Sequence, residues 1–230
     1  MIIIKYLIKL IFSITALIGI FGFSRYLFAR KFFIPGNTTD FLIFFAGILV
    51  FTSIWILFLR KRGNFWSTLE HELTHALFAT LFLKKIHTIS ASRRKGGLIS
   101  IEGGNSLIAL SPYFFPLTPI LVLLVGLLLP DNLQNYVVFV MGISVQFHLV
   151  NLLKEMHLDQ PDLQMSGYLF SIIIILFFNL FFMGLILAFV ADGFGGIHQF
   201  IWDGLKSSVY LLFDFWEYFF QQLRTTFSNF

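Results

Sequence analysis

Five runs of apolar residues constrain this chain more than anything else in it: 3–23, 41–59, 119–129 with its flanks, 137–153 and 168–190. A stretch of about 20 residues with few or no charges crosses the hydrocarbon core as a helix, because every backbone amide must bond within the segment. Composition removes the alternative of a water-facing globule. Only 12% of the 230 residues are charged and 57% are hydrophobic, whereas a soluble domain carries about a quarter charged residues. The helix at 64–83, which carries the chemistry described below, makes a sixth. The chain therefore reads as an all-α polytopic membrane bundle of about six membrane helices.

The formal charge of +4 sits in short Lys/Arg clusters beside the spans. Clusters of that kind set membrane orientation and meet anionic headgroups, so the bilayer is the expected partner and nucleic acid is not. No cysteine is present, which excludes disulfides and thiolate metal ligands. The N-terminal run lacks a small-residue cleavage site and is followed by Ser24-Arg25-Tyr26, which predicts a retained first span.

Along the chain, Pro35-Gly36-Asn37 reads as a turn, and the second span ends in Arg60-Lys61-Arg62-Gly63. Asn64 or Ser67 could cap the third helix. Residues 85–92 and 98–102 alternate apolar and polar side chains around Arg93-Arg94-Lys95-Gly96-Gly97, the signature of a small β hairpin with a glycine turn. Pro112, Pro116 and Pro119 then predict an irregular entry to the next helix. From 199 to 224, Gln199, Asp203, Lys206, Asp214, Glu217, Gln221 and Arg224 recur at three, four or seven against an aromatic face. That is a C-terminal amphipathic helix, lying in the headgroup plane or packed on the bundle. The organisation expected is N-terminal spans at 1–63, a core at 64–192 and the tail at 193–230.

The chemistry lies in His71-Glu72-Leu73-Thr74-His75. Two histidines four apart project from one helix face about one turn apart, a separation that lets both imidazoles meet one zinc ion. Glu72 lies beside them, where its carboxylate can take the proton of a zinc-activated water and pass it to a leaving amine. Two histidines hydrogen-bonded to neighbours would be the ordinary explanation. Ionisable residues in apolar helices are costly, however, and Glu70, His71, Glu72 and His75 together demand a function. A catalytic zinc takes three protein ligands. The spacing leaves the third open among Glu155, Asp159, Asp162 and Asp192. His148, Asn151 and Glu155 could instead orient a ligand from a second layer of contacts.

Taken together, these features resemble the site-2 protease family of intramembrane zinc metalloproteases, in particular its compact bacterial branch. The resemblance rests on His71-Glu72-Leu73-Thr74-His75-Ala76-Leu77 in a membrane helix, glycine-containing β segments at 84–106, Ser111-Pro112-Tyr113, and an Asp some ninety residues after the second His. It spans about 64–190. It implies one zinc per chain held by His71, His75 and Asp162, with Glu72 as general base and acid. It also implies substrates that are membrane-spanning proteins or remnant signal segments, and a place in the bacterial inner (plasma) membrane. One departure stands out. The family pattern puts an Asn and a Pro ahead of an Asp-Gly pair, whereas Leu163 follows Asp162; an Asp-Gly pair does occur at Asp192-Gly193.

Three other functions fit parts of the pattern. Glu155 could be the third ligand of a peptidase working at the membrane surface, an inactive relative could bind and regulate a membrane partner, or the histidines could relay protons in a transporter. The topology also poses a problem. If the helix at 64–83 crosses fully, His71 and Asp162 end on opposite faces, unless the proline stretch at 112–119 or the link at Pro161 is broken or re-entrant.

Overall fold

The computed structural model describes residues 2–29, 38–60, 65–92, 96–157 and 159–228. The turn at Pro35-Gly36-Asn37, the basic residues Lys61 and Arg62, the cap candidate Asn64 and the hairpin tip Arg93-Arg94-Lys95 lie outside these residues. The chain forms two compact units, one of Met1–Phe32 with Leu176–Phe230 and one of Phe33–Ile175.

The second unit holds most of the elements. Helix α2 (Thr38–Ile54) runs on through one wide π turn, Trp55–Leu59. The motif helix is α3 (Phe65–Leu81). Leu83, in the left-handed region at φ 54°, ends it, and the Lys84 amide reaches back to the Ala79 carbonyl to satisfy an orphan acceptor of the last turn. Strands β1 (Ile86–Ser92) and β2 (Gly96–Ile101) pair antiparallel, from Ile86 opposite Ile101 to Ser92 opposite Gly96. Gly96 and Gly97, expected in the turn, thus belong to β2.

Helix α4 (Ser106–Leu110) is capped by the Asn105 side chain, which accepts from the Ile108 amide at 2.9 Å, and it tightens into a 3₁₀ turn at Ser111–Tyr113. Helix α5 (Leu117–Gly126) leaves at an angle of 76° to that pair. The bend falls among Pro112, Pro116 and Pro119, each of which lacks an amide proton for a continuous helical ladder. After a second 3₁₀ turn at Asp131–Leu133 come α6 (Gln134–Glu155) and the short α7 (Pro161–Ser166). Pro161 opens α7, and Gly167 at φ 85° closes it, a conformation that glycine adopts without steric cost.

In the first unit, α1 (Ile2–Ala29) packs with the part of α8 (Tyr168–Ser228) that lies beyond residue 176. The 61 residues of α8 are not one rod: Asp192 and Gly193 leave helical geometry and divide it into two arms. Across that break Phe181 meets Phe200 at 5.9 Å between ring centroids, and Phe23 of α1 meets both. Phe200 is fully buried. The beginning of the sequence-predicted amphipathic tail is therefore packed against its neighbours, and its aromatic face from Val209 onward stays exposed.

Among the described residues four helices are long and apolar enough to cross a membrane, Ile3–Ala29, Thr38–Leu59, Asp131–Glu155 and Tyr168–Thr226, and a fifth if the bent pair 106–126 counts as one span. These helices do not confirm the expected count of about six. At 17 residues α3 is about 25 Å long, and it is not among the candidate spans. The candidate spans leave large side chains such as Leu57, Leu153 and Leu169 outward-facing. A surface this apolar belongs in hydrocarbon, so this is a membrane protein.

Helices α2 and α6 approach until their backbones touch. A methyl group added to Gly47 would strike the Phe139 carbonyl, and one added to Gly142 would strike the Phe44 carbonyl. Small residues that let two backbones touch are how helices associate without a hydrophobic force between them. Because backbone cannot step aside as a side chain can, Gly142→Ala is expected to destabilise the protein by about 1–3 kcal/mol. Gly195→Ala, whose added methyl meets open space, should leave the thermal midpoint in detergent unchanged.

Candidate metal centre

His71 and His75 stand one turn apart on α3, with ring centroids 4.9 Å apart. What each ring does with its Nδ1 decides the rest. His75 Nδ1–H donates to the Ile108 carbonyl at 2.8 Å. His71 Nδ1–H donates to Glu155 Oε2 at 2.6 Å. A carbonyl and an ionised carboxylate accept only, so both rings carry a proton on Nδ1, and each ring when neutral turns a lone pair outward from Nε2. These two Nε2 atoms lie 3.2 Å apart.

Two lone pairs at that distance repel unless a proton or a cation lies between them. Asp162 brings a third potential ligand to the same place. Its Oδ2 lies 3.9 Å from His75 Nε2, and one donor atom from each of His71, His75 and Asp162 falls within 4.8 Å of the others. Among the described residues no other group of three or more His, Asp or Glu side chains meets this test. A tetrahedral zinc with ligands at about 2.0–2.1 Å needs donors about 3.3 Å apart. Two imidazole nitrogens and one carboxylate oxygen, drawn slightly inward, fit that group.

The neighbouring carboxylates take distinct places. Glu155 accepts from Ser67 Oγ at 2.8 Å as well as from His71. It therefore engages the side of the His71 ring away from Nε2, as an orienting partner does. Glu72 is buried and within electrostatic reach of His71 and Asp162. Strand β2 passes directly over it, for a methyl group on Gly97 would overlap the Glu72 carboxylate. Glu70 accepts from the Thr118 amide at 3.1 Å, from Thr118 Oγ1 at 2.6 Å and from Asn151 Nδ2 at 3.2 Å. It thus caps α5 from another helix and ties α3, α5 and α6 together.

The sequence-based candidates divide accordingly. His71, His75 and Asp162 come together, and Glu155 contacts one of them. Asn151 is buried on Glu70, and His148 is buried in α6, apart from the three converging donors. Asp192 lies in the first unit, at the break in α8. Ser67, Tyr113, Gly97 and the Ile108 carbonyl were not foreseen as parts of the site. Ser67 carried a legible signal, since 67, 71 and 75 follow one another at i+4 on one helix face. A backbone carbonyl such as that of Ile108 carries none.

Comparison with known proteins adds no assignment: no protein-family model, no curated protein and no solved structure matches the chain.

Replacing Glu155 by Gln removes the charge that holds the His71 proton on Nδ1. The expected result is a zinc affinity about 10–100-fold weaker, measured by competition with a chromophoric chelator. Asp192→Asn should leave the affinity as it is.

Proposed function

We propose that this chain is an intramembrane zinc endopeptidase of the site-2 protease type, holding one zinc on His71, His75 and Asp162. The observation that carries the reading is the convergence of three side chains able to ligate a metal, with Glu72 next to them on the same helix. The likeness of residues 71–77 and of the hairpin and Ser111-Pro112-Tyr113 that follow to that family supports it from the side of sequence.

Bound there, zinc would bring the pKa of a water molecule toward neutrality and polarise the scissile carbonyl. The chain's own part is proton handling. Glu72 takes a proton from the attacking water as the new C–O bond forms, then delivers it to the amine nitrogen as the C–N bond breaks. Because Gly97 has no side chain, backbone alone covers Glu72 on that side, and the carboxylate keeps room to swing between water and leaving group. The substrates in this reading are single-span membrane proteins or remnant signal segments. Their helix must open to expose a carbonyl, so helix-breaking residues are expected near the cut.

Three variants test the reading in detergent-purified protein and in liposomes with a single-span substrate. Wild type should carry about one zinc per chain and Asp162→Ala much less. Glu72→Gln should keep its zinc and lose cleavage by a factor of at least about 10². Gly97→Ala should also keep its zinc, because no donor is touched, yet lose most cleavage, because the new methyl displaces the Glu72 carboxylate. A wild-type protein that takes up no zinc after reconstitution with the metal would sink the protease and leave a partner-binding role.

A further inference from the structure

Tyr113 has no part in the chemistry set out above, yet it touches two of the three donor side chains. It sits in the 3₁₀ turn Ser111–Tyr113 and is 1% exposed. Its phenol O–H donates to Asp162 Oδ2 at 3.2 Å, the same oxygen that faces His75 Nε2. Its ring meets that of His71 edge-on, at 5.6 Å between centroids and 89° between planes.

An aspartate turns freely about its two side-chain torsions and can offer either oxygen. We propose that Tyr113 is a positioning residue of the metal centre, its hydroxyl fixing the orientation in which Asp162 presents Oδ2 to the two imidazoles. The proposal rests on the metal reading above and goes beyond it in assigning how the third ligand is set.

The turn that carries Tyr113 is itself well anchored. Ser111 Oγ donates to the Ile108 carbonyl at 2.8 Å, the carbonyl that also receives His75 Nδ1–H. Six consecutive residues, 108–113, therefore reach all three donors. The Ile108 carbonyl sets the His75 tautomer, the Tyr113 ring braces His71, and the Tyr113 hydroxyl orients Asp162. Two of those donors sit on α3 and the third on α7, some ninety residues on, so one short buried segment gives all of them a common reference. A hydroxyl hydrogen-bonded to a ligand carboxylate is the kind of outer contact whose loss weakens metal binding without removing a ligand.

Tyr113→Phe keeps the ring against His71 and removes the hydroxyl alone. The full chain in detergent, stripped of metal, would be titrated with zinc and separately with cobalt(II). The expected result is a zinc Kd raised about 10–100-fold, with shifted visible bands of the cobalt form and an unchanged thermal midpoint of the metal-free protein. A Kd and cobalt spectrum equal to those of wild type overturn the proposal while leaving the metal reading in place. So does a lowered metal-free midpoint with an unchanged cobalt spectrum, which marks a packing role only. Wild type that binds neither metal overturns the metal reading and this role with it. Tyr113→Leu, which loses ring and hydroxyl together, should weaken zinc further than Tyr113→Phe, and an equal effect of the two would deny the ring its part.

Discussion

Two hydrogen bonds, from His75 Nδ1 to a backbone carbonyl and from His71 Nδ1 to a carboxylate, organise the functional half of this protein. Each sets a proton on one imidazole's Nδ1 and, in the neutral ring, leaves the other nitrogen as a lone pair. Two lone pairs 3.2 Å apart in a buried site are unfavourable alone and favourable around a cation. The partners come from distant segments, α4 and the end of α6. Much of the second unit can be understood as what brings Ile108, Glu155 and Asp162 to the same turns of α3.

The way the chain does this is to stop its helices short. A membrane helix that runs straight through leaves its two ends on opposite faces, which is the difficulty the spans raise when counted from sequence. The structure avoids it at three points. Helix α3 ends after 17 residues at the left-handed Leu83, α4 and α5 meet at a 76° bend among prolines, and α7 is a six-residue helix between Pro161 and Gly167. Backbone that leaves helical geometry inside a membrane protein must find other partners. Here they are supplied by side chains: Asn105 for the start of α4 and Glu70 for the start of α5. Glu70 thereby has a structural reason to sit in an apolar environment, separate from the role proposed for Glu72 two residues later.

Glycine serves two different ends in the second unit. At Gly47 and Gly142 it brings two helix backbones together. At Gly97 it lets a strand lie on the Glu72 carboxylate without covering it with a side chain. The first use is a packing device general to membrane helices; the second depends on one particular neighbour. The hairpin is thus more than a connector between helices, since its second strand forms one wall around Glu72.

Several features were legible in the residues themselves because they are local. Apolar runs near 20 residues mark the long helices, alternation marks the hairpin, and an i, i+4 histidine pair with an intervening Glu marks the metal motif, all from periodicities of 3.6 or 2. Prolines at 112, 116 and 119 located the bend for the same reason, since a missing amide proton acts where it stands. The number of spans was not legible, because hydropathy does not show that α3 stops at 17 residues or that α8 breaks at Asp192-Gly193. Nor was the choice among carboxylates. Glu155, Asp159, Asp162 and Asp192 are alike as carboxylates, and only the packing of the end of α6 and of α7 near α3 puts Asp162 near His75 Nε2 and Glu155 on His71 Nδ1. By itself the sequence determined a membrane protein with two histidines one helical turn apart. The tertiary structure decided which carboxylates lie beside them, and it set a backbone carbonyl and a tyrosine hydroxyl there whose positions no pattern of residue types encodes.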